Sequence, residues 1–173
     1  MDRARAVTLA GAGEVRIAGV IGDGPFGGRD VDMYRVRLDA GQSLLIDIDA
    51  RSLPEGSTLD SFVRVFDARG VLRKFNDDFG DSFDSRLLIR PQNAGVFFIG
   101  VSGFRNSQYD PRTGRGAREG STGDYQLALT FGESPARRRA ADAIRMLGFA
   151  DGETTAQARG TLFAALGGKR PRR

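Results

Sequence analysis

Four carboxylates and an amide fall within nine residues in Asn76-Asp77-Asp78-Phe79-Gly80-Asp81-Ser82-Phe83-Asp84, wrapped around a glycine turn. Like charges crowded this closely are unfavourable unless water or a cation compensates them, and Ca²⁺ takes roughly six to eight such oxygens in irregular loops. Upstream, Leu59-Asp60-Ser61 begins another strand and can bring a further carboxylate to the same end of the fold. Asp60, Asn76, Asp77, Asp78, Asp81 and Asp84 are therefore candidate Ca²⁺ ligands. Their spacing matches neither an EF-hand loop nor the repeat of a calcium β-roll. The same run also reads as a solvated acidic hairpin whose aspartates act as turn formers through their own backbone hydrogen bonds. A second pair, Asp30 and Asp32, sits one residue apart at a strand entry and so shares a face. It either grips one cation or simply opens a solvated strand.

Other chemistry is narrowed by what the chain lacks. It has no Cys, no His and no Trp in 173 residues. That removes Ser-His-Asp and Cys-His nucleophiles, an imidazole base, and thiolate or imidazole metal sites. A bound metal must be held by oxygen, which favours Ca²⁺ or Mg²⁺. A two-carboxylate glycosidase would still be chemically feasible. However, Glu14, Glu55, Glu119, Glu133 and Glu153 are the only glutamates, and none falls on a strand beside an aromatic platform. The expectation is a protein that is not an enzyme.

Charge divides along the chain. Residues 1–132 hold 17 basic and 18 acidic side chains, whereas 133–173 hold 9 basic and 4 acidic. The pI of about 10.1 thus belongs to the C-terminal segment, and the body is almost neutral. Arg137-Arg138-Arg139 and the final Lys169-Arg170-Pro171-Arg172-Arg173 suit phosphate contact or plain solvation, and no specific nucleic-acid partner is expected. The first 24 residues never reach an unbroken apolar run, which predicts neither a signal peptide nor a membrane span here. The chain is then either intracellular or part of a longer exported polypeptide.

The elements that must position these residues are short alternating strands. Tyr34, Val36 and Leu38 alternate with Met33, Arg35 and Arg37 over 32–38. The run 44–49 repeats the pattern after Ala40-Gly41-Gln42, and the two together predict a hairpin. Further strands are predicted at 14–20, 60–67, 70–75, 85–90, 95–103 and 124–131. About eight strands without a helical period before residue 134 predict an all-β antiparallel sandwich of jelly-roll type. The domain is expected over 14–132, after an N-terminal extension of 1–13. The remaining 133–173 read as a basic, helical or partly disordered tail. In that tail Ser134 serves as helix cap, Pro135 as first helical residue and Gly148 as stop, with a weaker second helix over 153–166. The long polar stretch Ser102–Gly123 reads as a functional or mobile loop.

Four segments carry a family resemblance: DVDMYRVRLDAGQSLLIDIDA, LDSFVRVFDARGVLRKFNDDFGDSFDSRLLI, NAGVFFIGVSGFRNSQYDPRTG and GSTGDYQLALTF. With their DxDxY, NDD, G-x-(Y/F)-(Y/F)-x-x-V and GxYxL patterns, residues 14–132 resemble the bacterial pre-peptidase C-terminal (PPC) domain. The resemblance implies a non-catalytic β-sandwich appended to secreted proteases and other exported proteins, hence an extracellular or cell-surface location. In the related collagen-binding domains Ca²⁺ lies near the strand opened by the acidic pair, which maps to Asp30 and Asp32. Asp60, Asp77, Asp78 and Asp84 match acidic positions of the family. The expected function is a Ca²⁺-binding accessory module for stability, adhesion or substrate targeting. The alternative is a module binding extracellular polysaccharide or matrix protein through the 102–123 loop, with Arg105, Asn106 and Tyr109 as contacts.

Overall fold

The computed structural model describes residues 1, 3–9 and 12–146. Two compact units divide at Ser134/Pro135. The first consists of nine strands: β1 (Arg5–Ala6), β2 (Gly13–Ile21), β3 (Asp32–Leu38), β4 (Leu44–Asp49), β5 (Ser61–Asp67), β6 (Leu72–Asn76), β7 (Arg86–Ile89), β8 (Gly95–Gly103) and β9 (Gly123–Phe131). They form a five-stranded sheet in the order β1-β3-β8-β5-β6 and a four-stranded sheet in the order β2-β9-β4-β7. Every pairing is antiparallel except that of β1 with β3.

The core lies between the sheets. Val36 and Leu38 of β3 and Ile99 and Val101 of β8 face Leu44, Ile46 and Ile48 of β4 and Leu127 and Leu129 of β9, all at most 1% exposed. Burying such aliphatic side chains contributes about 1.5–3 kcal/mol each and is the main term holding the two layers together. Alternation along β3 and β4 therefore gives the inward set that the sequence pattern predicts.

The predicted hairpin of 32–38 with 44–49 does not form. β3 pairs with β8, and β4 pairs with β7 and β9, so the two strands lie in opposite sheets. Their connection climbs from one layer to the other at Gly41, whose φ is 71°. Gln42 fixes this corner by accepting from Asp39 N–H at 3.0 Å and donating to the Gly132 carbonyl at 3.0 Å. Residues expected as an N-terminal extension join the sandwich instead: β1 lengthens the larger sheet, and Val7 is 6% exposed within the core.

β5 is buried on both faces, because the segment between β8 and β9 folds back over the outside of the larger sheet. Phe66, Phe98 and Tyr109 form a second apolar cluster there. Arg64 is enclosed with it. Its guanidinium lies 4.7 Å from the Phe66 ring centre and 4.6 Å from that of Tyr109, and donates to the Tyr109 carbonyl at 2.7 Å. Gly100 permits this packing, since a Cβ there would stand 2.2 Å from the Tyr109 hydroxyl.

In the second unit, α1 spans Pro135–Met146 and starts at the predicted proline. The predicted stop at Gly148, the helix over 153–166 and the terminal basic cluster lie outside the described residues. Among the described residues no helix is long and apolar enough to cross a membrane.

Candidate metal centre

The carboxylates of Asp60, Asp77 and Asp78 converge, each offering an oxygen within 4.8 Å of the others. Asp60 immediately precedes β5, while Asp77 and Asp78 follow the last residue of β6. Because β5 and β6 are antiparallel neighbours, the start of one and the end of the other meet at one end of the sheet. The backbone of all three residues is tied down, leaving their side chains for other work. Ser121 Oγ accepts from Asp60 N–H at 2.9 Å, and the Asp60 carbonyl accepts from Phe104 N–H at 2.7 Å. Ser85 Oγ lies 2.6 Å from the Asp77 carbonyl and 2.7 Å from that of Ser61. The Asp78 carbonyl accepts from Asn76 Nδ2 at 2.9 Å.

Asp77 is the central member. Its Oδ1 is shielded from solvent and has no hydrogen-bond partner. Burial, then the charges of Asp78 and Asp60, push its carboxyl up to about 6. Asp60 is also raised, by burial and Asp78, against a lowering effect of Arg51. An orphaned buried carboxylate oxygen flanked by two further carboxylates is a donor set that a hard divalent cation satisfies. The residues present therefore fit Ca²⁺.

The other sequence candidates are employed differently. Asp84 is 8% exposed and caps the turn after β4. It accepts from Ala50 N–H at 3.1 Å, Arg51 N–H at 2.8 Å, Ser52 N–H at 3.1 Å and Ser52 Oγ at 2.7 Å. With its oxygens so engaged it stands outside the three-carboxylate group. Asn76 spends both ends of its amide on the turn, since its Oδ1 accepts from Arg86 N–H at 2.8 Å. Asp81 is exposed and likewise outside the group.

Asp30 and Asp32 are also held by the protein. Asp30 accepts from Gly22 N–H at 3.0 Å and Val31 N–H at 2.9 Å. Asp32 accepts from the Tyr125 hydroxyl at 2.5 Å, which is itself 2.6 Å from the Tyr34 hydroxyl. Burial is the main cause of a raised Asp32 carboxyl, and Asp30 and Asp23 add to it. Gly19 makes room for this chain of hydroxyls, because a Cβ there would lie 2.4 Å from the Tyr125 oxygen.

Of the residues expected to contact a ligand from the 102–123 loop, only Arg105 is exposed. Asn106 is fully buried, donating to the Asp30 carbonyl at 3.1 Å and accepting from Arg118 N–H at 3.0 Å. Tyr109 is 2% exposed within the outer cluster. These two side chains hold the loop to the sheet and are not presented to a ligand. The supporting serines Ser85 and Ser121 were not foreseen from sequence. For Ser85 the available signal was a small hydroxyl residue directly before a strand and directly after the acidic run.

No protein-family profile matches the chain. A protein of Deinococcus radiodurans described as a probable subtilase-type serine protease is 36% identical over 74 residues, which is 43% of this chain and 10% of that protein. The chain thus spans about a tenth of the length of this relative. Among solved structures, the periplasmic inhibitor of g-type lysozyme PliG from Aeromonas hydrophila has a TM-score of 0.49 at 21% identity, over 74% of this chain and 95% of that one. The pre-peptidase C-terminal domain of a collagenase from Bacillus anthracis has a TM-score of 0.46 at 13% identity, over 74% and 95% of the two chains. Over residues 14–132 the chain resembles the pre-peptidase C-terminal domain family, and a domain of that family stands among the solved structures similar to it.

Proposed function

We propose that this sandwich is a non-catalytic, Ca²⁺-binding accessory module of an exported bacterial protein, and that its role is to stabilise or target the polypeptide that carries it. The observation behind this reading is the buried, unpartnered Oδ1 of Asp77 facing the carboxylates of Asp60 and Asp78. Asp60, Asp77 and Asp78 would hold the cation, which supplies positive charge and no redox or nucleophilic chemistry. The protein's own contribution is positional. Ser121, Ser85 and Asn76 hold the backbones of Asp60, Asp77 and Asp78, so the carboxylates are gathered before any ion arrives. Export is supported by the family resemblance and by the likeness to a stretch of a subtilase-type protease.

Thermal unfolding tests the metal assignment. At 5 mM CaCl₂, a site with a Kd of about 0.1–1 mM stabilises the fold by roughly 1–2 kcal/mol over the value in EDTA. That corresponds to a rise of about 3–8 °C in midpoint for a domain of this size. A midpoint that is the same in CaCl₂, MgCl₂ and EDTA would refute it.

A further inference from the structure

At the opposite end of β5 and β6 from the carboxylates, a groove of about 580 Å³ runs between the outermost strands of the two sheets, β6 and β7. The seven residues of β5 separate the two ends by about 20 Å. Val65, Leu88, Ile89, Val96 and Phe97 contribute an apolar lining. Arg69, Arg73, Lys74 and Arg90 supply four positive charges against the single carboxylate of Asp67. Asp67 is already committed: it pairs with Arg73, lies 3.7 Å from Arg69, and accepts from the backbone of Arg69 and Val71. Lys74 donates to the Leu88 carbonyl and so ties the two edge strands together at one point of the groove. Arg69 and Arg90 project from the turns on either side. The Arg69 side chain is 79% exposed, and Arg90 has no ion-pair partner among the described residues.

We infer that this groove binds an acidic peptide in extended conformation, its carboxylates meeting Arg69 and Arg90 and its intervening apolar side chains resting on Ile89 and Phe97, which pack on the core side of their strands. Three features favour such an occupant over another polyanion. β6 and β7 are each the last strand of their sheet, and an edge strand accepts an added extended segment through main-chain hydrogen bonds. Side chains on an extended peptide alternate, which suits a site with charged walls and an apolar lining. A nucleic acid or sulfated glycan would use the cations and leave that lining unused. The inference does not depend on Ca²⁺, because none of the three clustered carboxylates lines the groove.

Fluorescence anisotropy with a labelled octapeptide of alternating Asp and Val, titrated with the full chain in 50 mM NaCl, reads out binding. The expected result is saturable binding that weakens with salt, with no binding of the matching Lys/Val octapeptide. Arg69→Glu/Arg90→Glu should weaken it by about tenfold or more at unchanged thermal midpoint, while Asp77→Asn leaves it unchanged. Three results would overturn the inference: no binding of the Asp/Val peptide, equal binding by the double charge-reversal variant, which would assign it to the basic C-terminal segment, or binding of heparin without the peptide.

Discussion

Replacing Asp77 with asparagine separates the repulsion within the carboxylate cluster from its affinity for a cation. The side chains are nearly isosteric, so packing is preserved, and asparagine cannot ionise. In the folded protein the Asp77 carboxyl is pushed from 3.8 to about 6 by burial and by its two neighbours. A folded-state value above the unfolded one means that ionisation opposes folding: the penalty is fully present above about pH 6 and gone by about pH 3. For a fully shielded group such a change corresponds to about 3 kcal/mol. Asp77 is half-buried, and solvent screening reduces this to roughly 1–1.5 kcal/mol. In EDTA at pH 7.5, Asp77→Asn should therefore unfold about 3–5 °C higher than the parent chain. That gain should be mostly lost by about pH 4 and gone by about pH 3, where the parent carboxyl is protonated in both states. In 5 mM CaCl₂ the gap should close or reverse, because only the parent chain gains stability from the ion. Differential scanning calorimetry of both proteins in EDTA and in CaCl₂ reads all of this directly. A variant that is less stable than the parent in EDTA would show that Asp77 serves the fold and not a cation. Equal responses of the two proteins to CaCl₂ would place any bound ion elsewhere.

Asp84→Ala should behave in the opposite way. Removing a carboxylate that serves three backbone N–H groups and a hydroxyl destabilises the chain by about 3 kcal/mol in urea unfolding, with Ca²⁺ affinity by calorimetry changed less than about twofold. Tyr125→Phe removes the donor to Asp32 and should cost about 1–3 kcal/mol. With that donor gone the Asp32 carboxyl rises further, so the loss should be larger at pH 7.5 than at pH 4, as urea midpoints at the two values will show.

What could be read from the sequence follows from the range of the forces involved. Strands β3, β4 and β9 are visible because Tyr34, Val36 and Leu38, or Tyr125, Leu127, Leu129 and Phe131, alternate over enough residues to define a period. β1 is two residues long and has no period to detect. The assignment of β3 and β4 to one hairpin fails for a different reason. Ala40-Gly41-Gln42 can close a hairpin or climb between layers, and the choice is made by Gln42 reaching Gly132, a residue 90 positions away. The 102–123 segment reads as a surface loop because its composition is polar, yet Asn106 and Tyr109 are anchors. The complementary sign was in β5, where Phe62, Arg64 and Phe66 occupy what would be the outer face of a one-sided strand, a pattern that calls for a cover.

The same distinction governs the charges. Acidic residues at the ends of β5 and β6 are close in sequence to their turns, so their gathering at one end was legible. Which of them faces a backbone donor and which faces another carboxylate was not. Asp84 and Asp77 are chemically identical and seven positions apart. One lies under the amides of Ala50, Arg51 and Ser52, the other against Asp60 and Asp78. The arginines are spread through the chain, and nothing in their spacing marks Arg69, Arg73 and Arg90 as partners. Antiparallel pairing makes them so. When β5 and β6 bring Asp60 beside Asp77 at one end, they must bring the 67–72 turn to the other, where it meets the β7–β8 turn carrying Arg90. One registration of strands thus produces an acidic end and a basic groove whose far turn lies about 20 Å from it. A net charge near zero for residues 1–132 conceals that separation, and the separation is what would let one module take a cation at one end and an anionic peptide at the other.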